Sequence, residues 1–275
     1  MMHDATQPRN VTQAETAPPI DHGKRRRRLR RRIVGITCWG IGFAIILVAS
    51  IIIHAHPSPW PGEVALSRSV QSLHLAPPLL AFLTFLASLI DPVPSSIALL
   101  LWFAFLLTFA WFRQAAFLVT TVSVGNAIDA LIGDYVRRPR PSAHLIHIEG
   151  TYRFNSFPSG HCAHTILYYG ALLYLSFSEP LRRWRYRWLL IPLQIFAALN
   201  IVLIGFERVY QGEHWITDVL GGMLDGLLWL SVGIFLYNWI PELLERRRAR
   251  RQEKQSHEEP SYPSRLGFLG KARDQ

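Results

Sequence analysis

Apolar residues in this chain are not spread as in a soluble core. They come in long blocks separated by short charged pieces, which reads as a polytopic membrane protein. The first block, Ile33 to Ile53, contains no charged residue, and at ~1.5 Å per residue it is long enough for the ~30 Å hydrocarbon core of a bilayer. A polar stretch, His54 to Pro78, follows and carries Pro57, Pro59 and Pro61, so it reads as a loop. Leu79 to Ile90 is apolar but only about a dozen residues long, too short to span comfortably, and reads as an interfacial or re-entrant helix closed by Asp91-Pro92. Five more blocks follow: Ser95 to Phe112, Ala115 to Ile132, Cys162 to Phe177, Trp188 to Phe206 and Ile216 to Ile240. The expected fold class is therefore all-α: a polytopic membrane helical bundle of about six transmembrane helices plus one short interfacial helix.

Charge places these blocks. The 275 residues are 50% hydrophobic with a formal net charge of +10, and the excess sits at block ends and at the termini. That is the distribution of topology signals and anionic-headgroup contacts, and it argues against nucleic acid as a partner. The run Lys24 to Arg32 precedes a block too long for a signal-peptide core, so the first span reads as an uncleaved anchor. With that run in the cytoplasm, six spans bring Arg113, the cluster Arg182, Arg183, Arg185 and Arg187, and Arg246 to Arg251 to the same side. Both termini are then cytoplasmic. The segments Asp134 to His161 and Glu207 to His214 share the opposite face. The chain divides into a polar, unstructured N-terminal tail with the basic run (1–32), a membrane domain (33–240) and a basic and polar C-terminal tail (241–275). Cys38 and Cys162 form no disulfide or thiol-metal pattern.

Three polar pieces carry candidate chemistry. His214 and Asp218 lie four residues apart, on one face of a helix. A carboxylate there can hold one ring nitrogen and leave the other to attack, which makes His214 a candidate nucleophile and Asp218 its orienting acid. Alone, the pair could equally be a helix cap. Pro158-Ser159-Gly160-His161 opens a span. Ser159 suits an N-cap, Gly160 admits an anion close to the backbone, and the helix dipole points at the same spot. His161 is placed to protonate a leaving oxygen. Arg140 and Arg208 offer planar paired donors to phosphate, although Arg208 could instead snorkel at a block end. Arg138 stands between phosphate ligand and headgroup contact. A zinc centre from His161, His164, His214 and Asp218 is conceivable, but the neighbouring arginines suit an anion better than a cation. No metal and no cofactor is therefore expected.

Together, Arg140-Pro141, Pro158-Ser159-Gly160-His161 and Arg208, His214 and Asp218 at their spacing resemble the three-part signature of the type 2 phosphatidic acid phosphatase family, the membrane branch of the superfamily that includes vanadium haloperoxidases. The run Arg208 to Trp215 is especially similar to the third part, and the resemblance covers roughly Ile33 to Ile240. It implies a metal-independent lipid phosphatase with a lipid phosphomonoester or pyrophosphate as substrate. His214 would carry the phosphoryl group as phosphohistidine, with Asp218 orienting it and His161 protonating the leaving group. Arg140, Ser159, Gly160 and Arg208 would hold the phosphate. Two positions depart from the family pattern. Gly133 stands where the first part opens with lysine, and Glu207 stands where the third part opens with serine. A carboxylate at 207 could pair with Arg208 and weaken its hold on phosphate. A phosphotransferase and a non-catalytic lipid-phosphate binder are the rival readings.

Overall fold

The computed structural model describes residues 22–149 and 155–258. Eight α-helices account for most of them, and there is no strand among the described residues. The chain divides into two compact units, residues 1–41 and 42–275. The described part of the first unit is the leading portion of helix α1 (His22–Ala55). The basic run therefore lies inside a helix, and residue 33 is not a structural boundary as the sequence suggested. Arginine is a good helix former, so charge alone does not stop the helix. The N-terminal part of the expected tail, residues 1–21, lies outside the described residues.

In the second unit, α2 (Pro61–Gln71) occupies the middle of the stretch read as a loop. Its proline sits at the start, where a missing N–H costs nothing, and the Glu63 carboxylate accepts a 2.8 Å hydrogen bond from the Trp60 backbone N–H. Helices α3 (Pro77–Ser88) and α4 (Pro92–Thr108) are bent by 62° at the break between them. Pro92 enforces that break because its ring cannot continue a helix. Then come α5 (Phe112–Val136), α6 (Gly160–Ser176), α7 (Ile191–Tyr210) and α8 (Ile216–Glu258). Helix α8 runs through Pro241 well beyond residue 240, so part of the expected C-terminal tail is helical.

Among the described residues, four helical stretches are long and apolar enough to cross a bilayer: Leu29–Ala55, Phe112–Val136, Arg187–Tyr210 and Ile216–Gln252. The bent pair α3–α4 passes together as a fifth. The sequence reading counted six, and the difference is α6. With 17 residues it is roughly 25 Å long at the α-helical rise, just short of the hydrocarbon thickness. Helix α6 compensates by its position, packing against α5, α7 and α8. Leu118 and Val122 of α5 and Leu167 and Ala171 of α6 are buried in the shared core. In lipid such contacts gain dispersion energy from close fit rather than from water release.

One contact brings the entry of α6 onto α8. The backbone N–H of Ser159 donates to the Asp218 carbonyl at 2.9 Å. One turn on, α8 presents Gly222, where a Cβ would lie 2.3 Å from the Ser159 carbonyl oxygen. The obstacle is backbone, so it cannot rotate away. Gly222→Ala is expected to destabilise the protein by about 1–3 kcal/mol through overpacking, read as a lower melting temperature in detergent.

Candidate active site

The three polar pieces meet at one end of α6. His161 is the second residue of that helix, and His214 sits in the turn between α7 and α8. A nitrogen of each ring and a carboxylate oxygen of Glu213 all lie within 4.8 Å of one another. The two imidazoles therefore face one small space, as the sequence reading required.

His214 is fully buried. Its Nδ1 pairs with the Ser156 carbonyl at 2.8 Å, which assigns the ring proton to Nδ1 and leaves Nε2 with its lone pair. Nε2 has no hydrogen-bond partner among the described residues. Asp218 Oδ2 stands 3.9 Å from Nδ1, beyond hydrogen-bonding range. The expected direct His214–Asp218 bond is thus replaced by a shared arrangement. Asp218 Oδ2 accepts from Ser156 Oγ at 2.5 Å and from the Trp215 backbone N–H at 2.9 Å, while Ser156 offers its carbonyl to the ring. Asp218 orients the imidazole through Ser156 and adds its charge at short range. Burial pulls the His214 pKa below the ordinary imidazole value and the Arg140 charge pulls the same way, with Asp218 opposing.

Arg138 is not a phosphate ligand in this arrangement. Its side chain is 0% exposed, with Nη1 2.5 Å from Asp218 Oδ1 and Nη2 2.6 Å from Glu63 Oε2. Nη1 also donates to Thr217 Oγ1 at 2.7 Å, and the Thr217 hydroxyl in turn donates to Glu63 Oε1. The guanidinium clamps Asp218 from below. A buried arginine between two carboxylates is paired on both edges and has no reason to reach a headgroup.

Arg140 and Arg208 behave differently: both reach the Glu213 carboxylate. Arg208 Nη1 is 2.5 Å from Glu213 Oε2, and Arg140 Nη1 is 3.6 Å from the same oxygen. Glu207 does pair with Arg208, at 2.5 Å from Nε and 2.9 Å from Nη2. Ser159 occupies the N-cap position of α6, but its hydroxyl makes no capping bond. Gly160 lies on the wall of a cavity of about 670 Å³ together with His161, His164, Arg140 and Gly133.

Sequence reasoning missed four contributors. Asp91 Oδ1 lies 3.1 Å from His161 Nε2, although the residue looked like mere punctuation before Pro92. Glu63 and Ser156 sit in stretches without pattern, and Glu213 was hidden beside His214. The one available signal was Glu63 itself, a carboxylate placed to cap a Pro-started helix. His161, Glu213 and His214 are also the candidate metal-holding group among the described residues, but Glu213 is already engaged by two arginines.

An all-helical membrane bundle that sets paired imidazoles and two arginines around one anion is the class this geometry defines. Residues 114–245 match the family model of the PAP2 superfamily. That segment holds Arg138, Arg140, Ser159, Gly160, His161, Arg208, His214 and Asp218. Phosphatidylglycerophosphatase B of Bacillus subtilis (strain 168) is 35% identical over 107 residues, covering 37% of this chain and 47% of its own length. The putative undecaprenyl-diphosphatase YbjG of Escherichia coli (strain K12) is 34% identical over 91 residues, 30% of this chain and 39% of its own. The chain thus spans about half or less of the curated relatives it matches. The crystal structure of a transmembrane PAP2-type phosphatidylglycerolphosphate phosphatase from Bacillus subtilis superposes with a TM-score of 0.61 at 22% identity, over 74% of this chain and 96% of that one, which establishes the shared fold. The protein is an integral membrane protein of this fold.

Removing one member of a buried ion pair strands the other charge, at a cost of about 3–5 kcal/mol. Arg138→Ala is expected to lose stability on that scale and to lower kcat far more than it raises KM for a lipid phosphate. A rise in KM alone would return Arg138 to phosphate binding.

Proposed function

We propose that the protein is a metal-independent lipid phosphatase acting through a phosphohistidine. One observation carries the reading: Arg140 and Arg208 converge on a single carboxylate that stands within 4.8 Å of two imidazole nitrogens. Glu213 thereby occupies the position of an anion. A phosphate that displaces it inherits two guanidinium partners and lies between a nucleophile and an acid.

The chemistry then runs in two steps. His214 Nε2 attacks phosphorus, an N–P bond forms, and the bond to the leaving oxygen breaks as that oxygen takes a proton from His161. Asp91 holds the His161 ring, and Asp218 offsets the positive charge growing on His214. In the second step His161 takes a proton from water, the hydroxide attacks phosphorus, and His214 leaves as free imidazole with release of inorganic phosphate. Nothing in this sequence of events uses a metal or cofactor. Lipid substrates with tails in the bilayer suit a site at the end of α6. Candidates are phosphatidate, phosphatidylglycerol phosphate and a polyprenyl diphosphate, and the names of the two curated relatives support the last two. The positive-inside pattern supports a site on the non-cytoplasmic face with both termini in the cytoplasm.

Incubating the full chain in detergent with lipid phosphates labelled at the terminal phosphate tests this directly. Release of labelled inorganic phosphate is expected from wild type, insensitive to EDTA, and lowered by at least about 10³-fold in His214→Ala. Labelled lipid product instead would mean phosphotransfer, and binding without turnover would mean a lipid-phosphate binder. The His214 nucleophile must be unprotonated, and its lowered pKa keeps it so in mild acid. The acid limb of kcat/KM is therefore expected below pH ~6.5, the ordinary imidazole value.

A further inference from the structure

The cavity beside His161 does not stop at the catalytic ring. It continues past His164, one turn further along α6, between α4 and α5, where Ser95, Ser123, Asn126 and Asp129 line it. Two polar atoms there are buried without a hydrogen-bond partner among the described residues: Asp129 Oδ1 and His164 Nε2. Asp129 is only 9% exposed. Its other oxygen lies 3.4 Å from the point a Cβ on Gly160 would occupy, so the carboxyl group is next to the start of α6. A buried polar atom without a partner costs free energy, and a ligand group that supplies the partner recovers it.

The roles of the two atoms follow from their neighbours. Asn126 Nδ2 is 2.8 Å from His164 Nδ1. An amide nitrogen can only donate, so Nδ1 accepts and the ring proton sits on Nε2 as a donor. Asp129 Oδ1 is an acceptor. A donor and an acceptor on one cavity wall match an alcohol hydroxyl, which accepts one bond and donates another. The charges oppose an anion here. Asp129 and Asp134 both line the cavity, Gly133 contributes no cation, and the arginine that lines it, Arg140, is paired with Glu213 at the phosphate end. Resting on the phosphatase reading above, the leaving group is the part of the substrate that runs from His161 into this space.

We propose that Asp129 and His164 form a hydroxyl-recognition subsite selecting lipid phosphomonoesters whose leaving alcohol carries a further free hydroxyl, as a phosphorylated glycerol headgroup does. Phosphatidate offers only esterified oxygens at that position. A lipid diphosphate places a second anion there, facing two carboxylates.

The test compares kcat/KM of the full chain in mixed micelles for phosphatidylglycerol phosphate, phosphatidate and a polyprenyl diphosphate. Wild type is expected to favour phosphatidylglycerol phosphate by about tenfold or more, the scale of one net hydrogen bond. Asp129→Ala and His164→Ala are expected to shrink the ratio over phosphatidate to near unity. Asp129→Asn keeps an acceptor and removes charge, so it is expected to preserve that ratio while raising the relative rate on the diphosphate. Melting temperatures of all variants accompany the rates, and if the alanine variants do not fold, the asparagine variant decides through the diphosphate ratio. Ratios unchanged by substitution, or a wild type that prefers the diphosphate, overturn the subsite while leaving the phosphatase intact. Silence on all three substrates overturns the phosphatase reading, and the subsite falls with it.

Discussion

The buried guanidinium of Arg138 is the contact on which the rest of the site depends. It bridges Glu63 of α2 and Asp218 of α8, two carboxylates contributed from distant parts of the chain. Without that positive charge, two acids would be sealed together away from water, and neither could remain ionised at low cost. With it, Asp218 is an available anion whose second oxygen can hold Ser156 and the Trp215 backbone. Those two contacts place the Ser156 carbonyl against the His214 ring. The His214 ring is therefore oriented at second hand, through a chain of polar contacts that begins on a helix outside the matched segment.

Backbone fit supports the same arrangement. Gly222 lets α8 lie against the Ser159 carbonyl, and the Ser159 N–H returns a hydrogen bond to Asp218. His161 and His214 come from different helix ends, so their spacing is set by how closely α6 and α8 approach. A second glycine, Gly212, has φ +72 and sits against the His147 carbonyl, which turns the chain sharply between α7 and His214. Only a residue without Cβ takes that conformation at little cost.

The arginine pair has a different character from Arg138. Arg138 is shielded and matched to two acids, whereas Arg140 and Arg208 meet at an acid that stands beside both histidines. Glu207, which departs from the family pattern, grips Arg208 along the edge bearing Nε and Nη2, and Glu213 takes Nη1. A guanidinium held along one edge is oriented as well as partly neutralised. The departure at 207 therefore fixes where Arg208 points, and Glu213 marks what it points at.

Hydrophobic blocks of spanning length and the positions of charged pieces were enough to determine an all-helical membrane bundle, since a backbone in lipid has few ways to satisfy its hydrogen bonds. The spacing of the polar pieces, taken with their resemblance to the family signature, marked His161, His214, Asp218, Arg140 and Arg208 as candidates, and both histidines and both arginines gather about Glu213. Helix ends were less legible: α1 and α8 run through charged stretches that the pattern read as tails, and α6, at 17 residues, matches its block in length but stops just short of a full span. Tertiary structure alone decided what each polar side chain touches. It turned Arg138 from a ligand into a clamp, replaced a direct His214–Asp218 bond with one through Ser156, and brought in Glu63, Asp91 and Glu213. Those outcomes depend on which buried charges meet across helices far apart in the chain. A one-dimensional pattern carries no record of that distance, and in a low-dielectric interior it is distance that selects the partner.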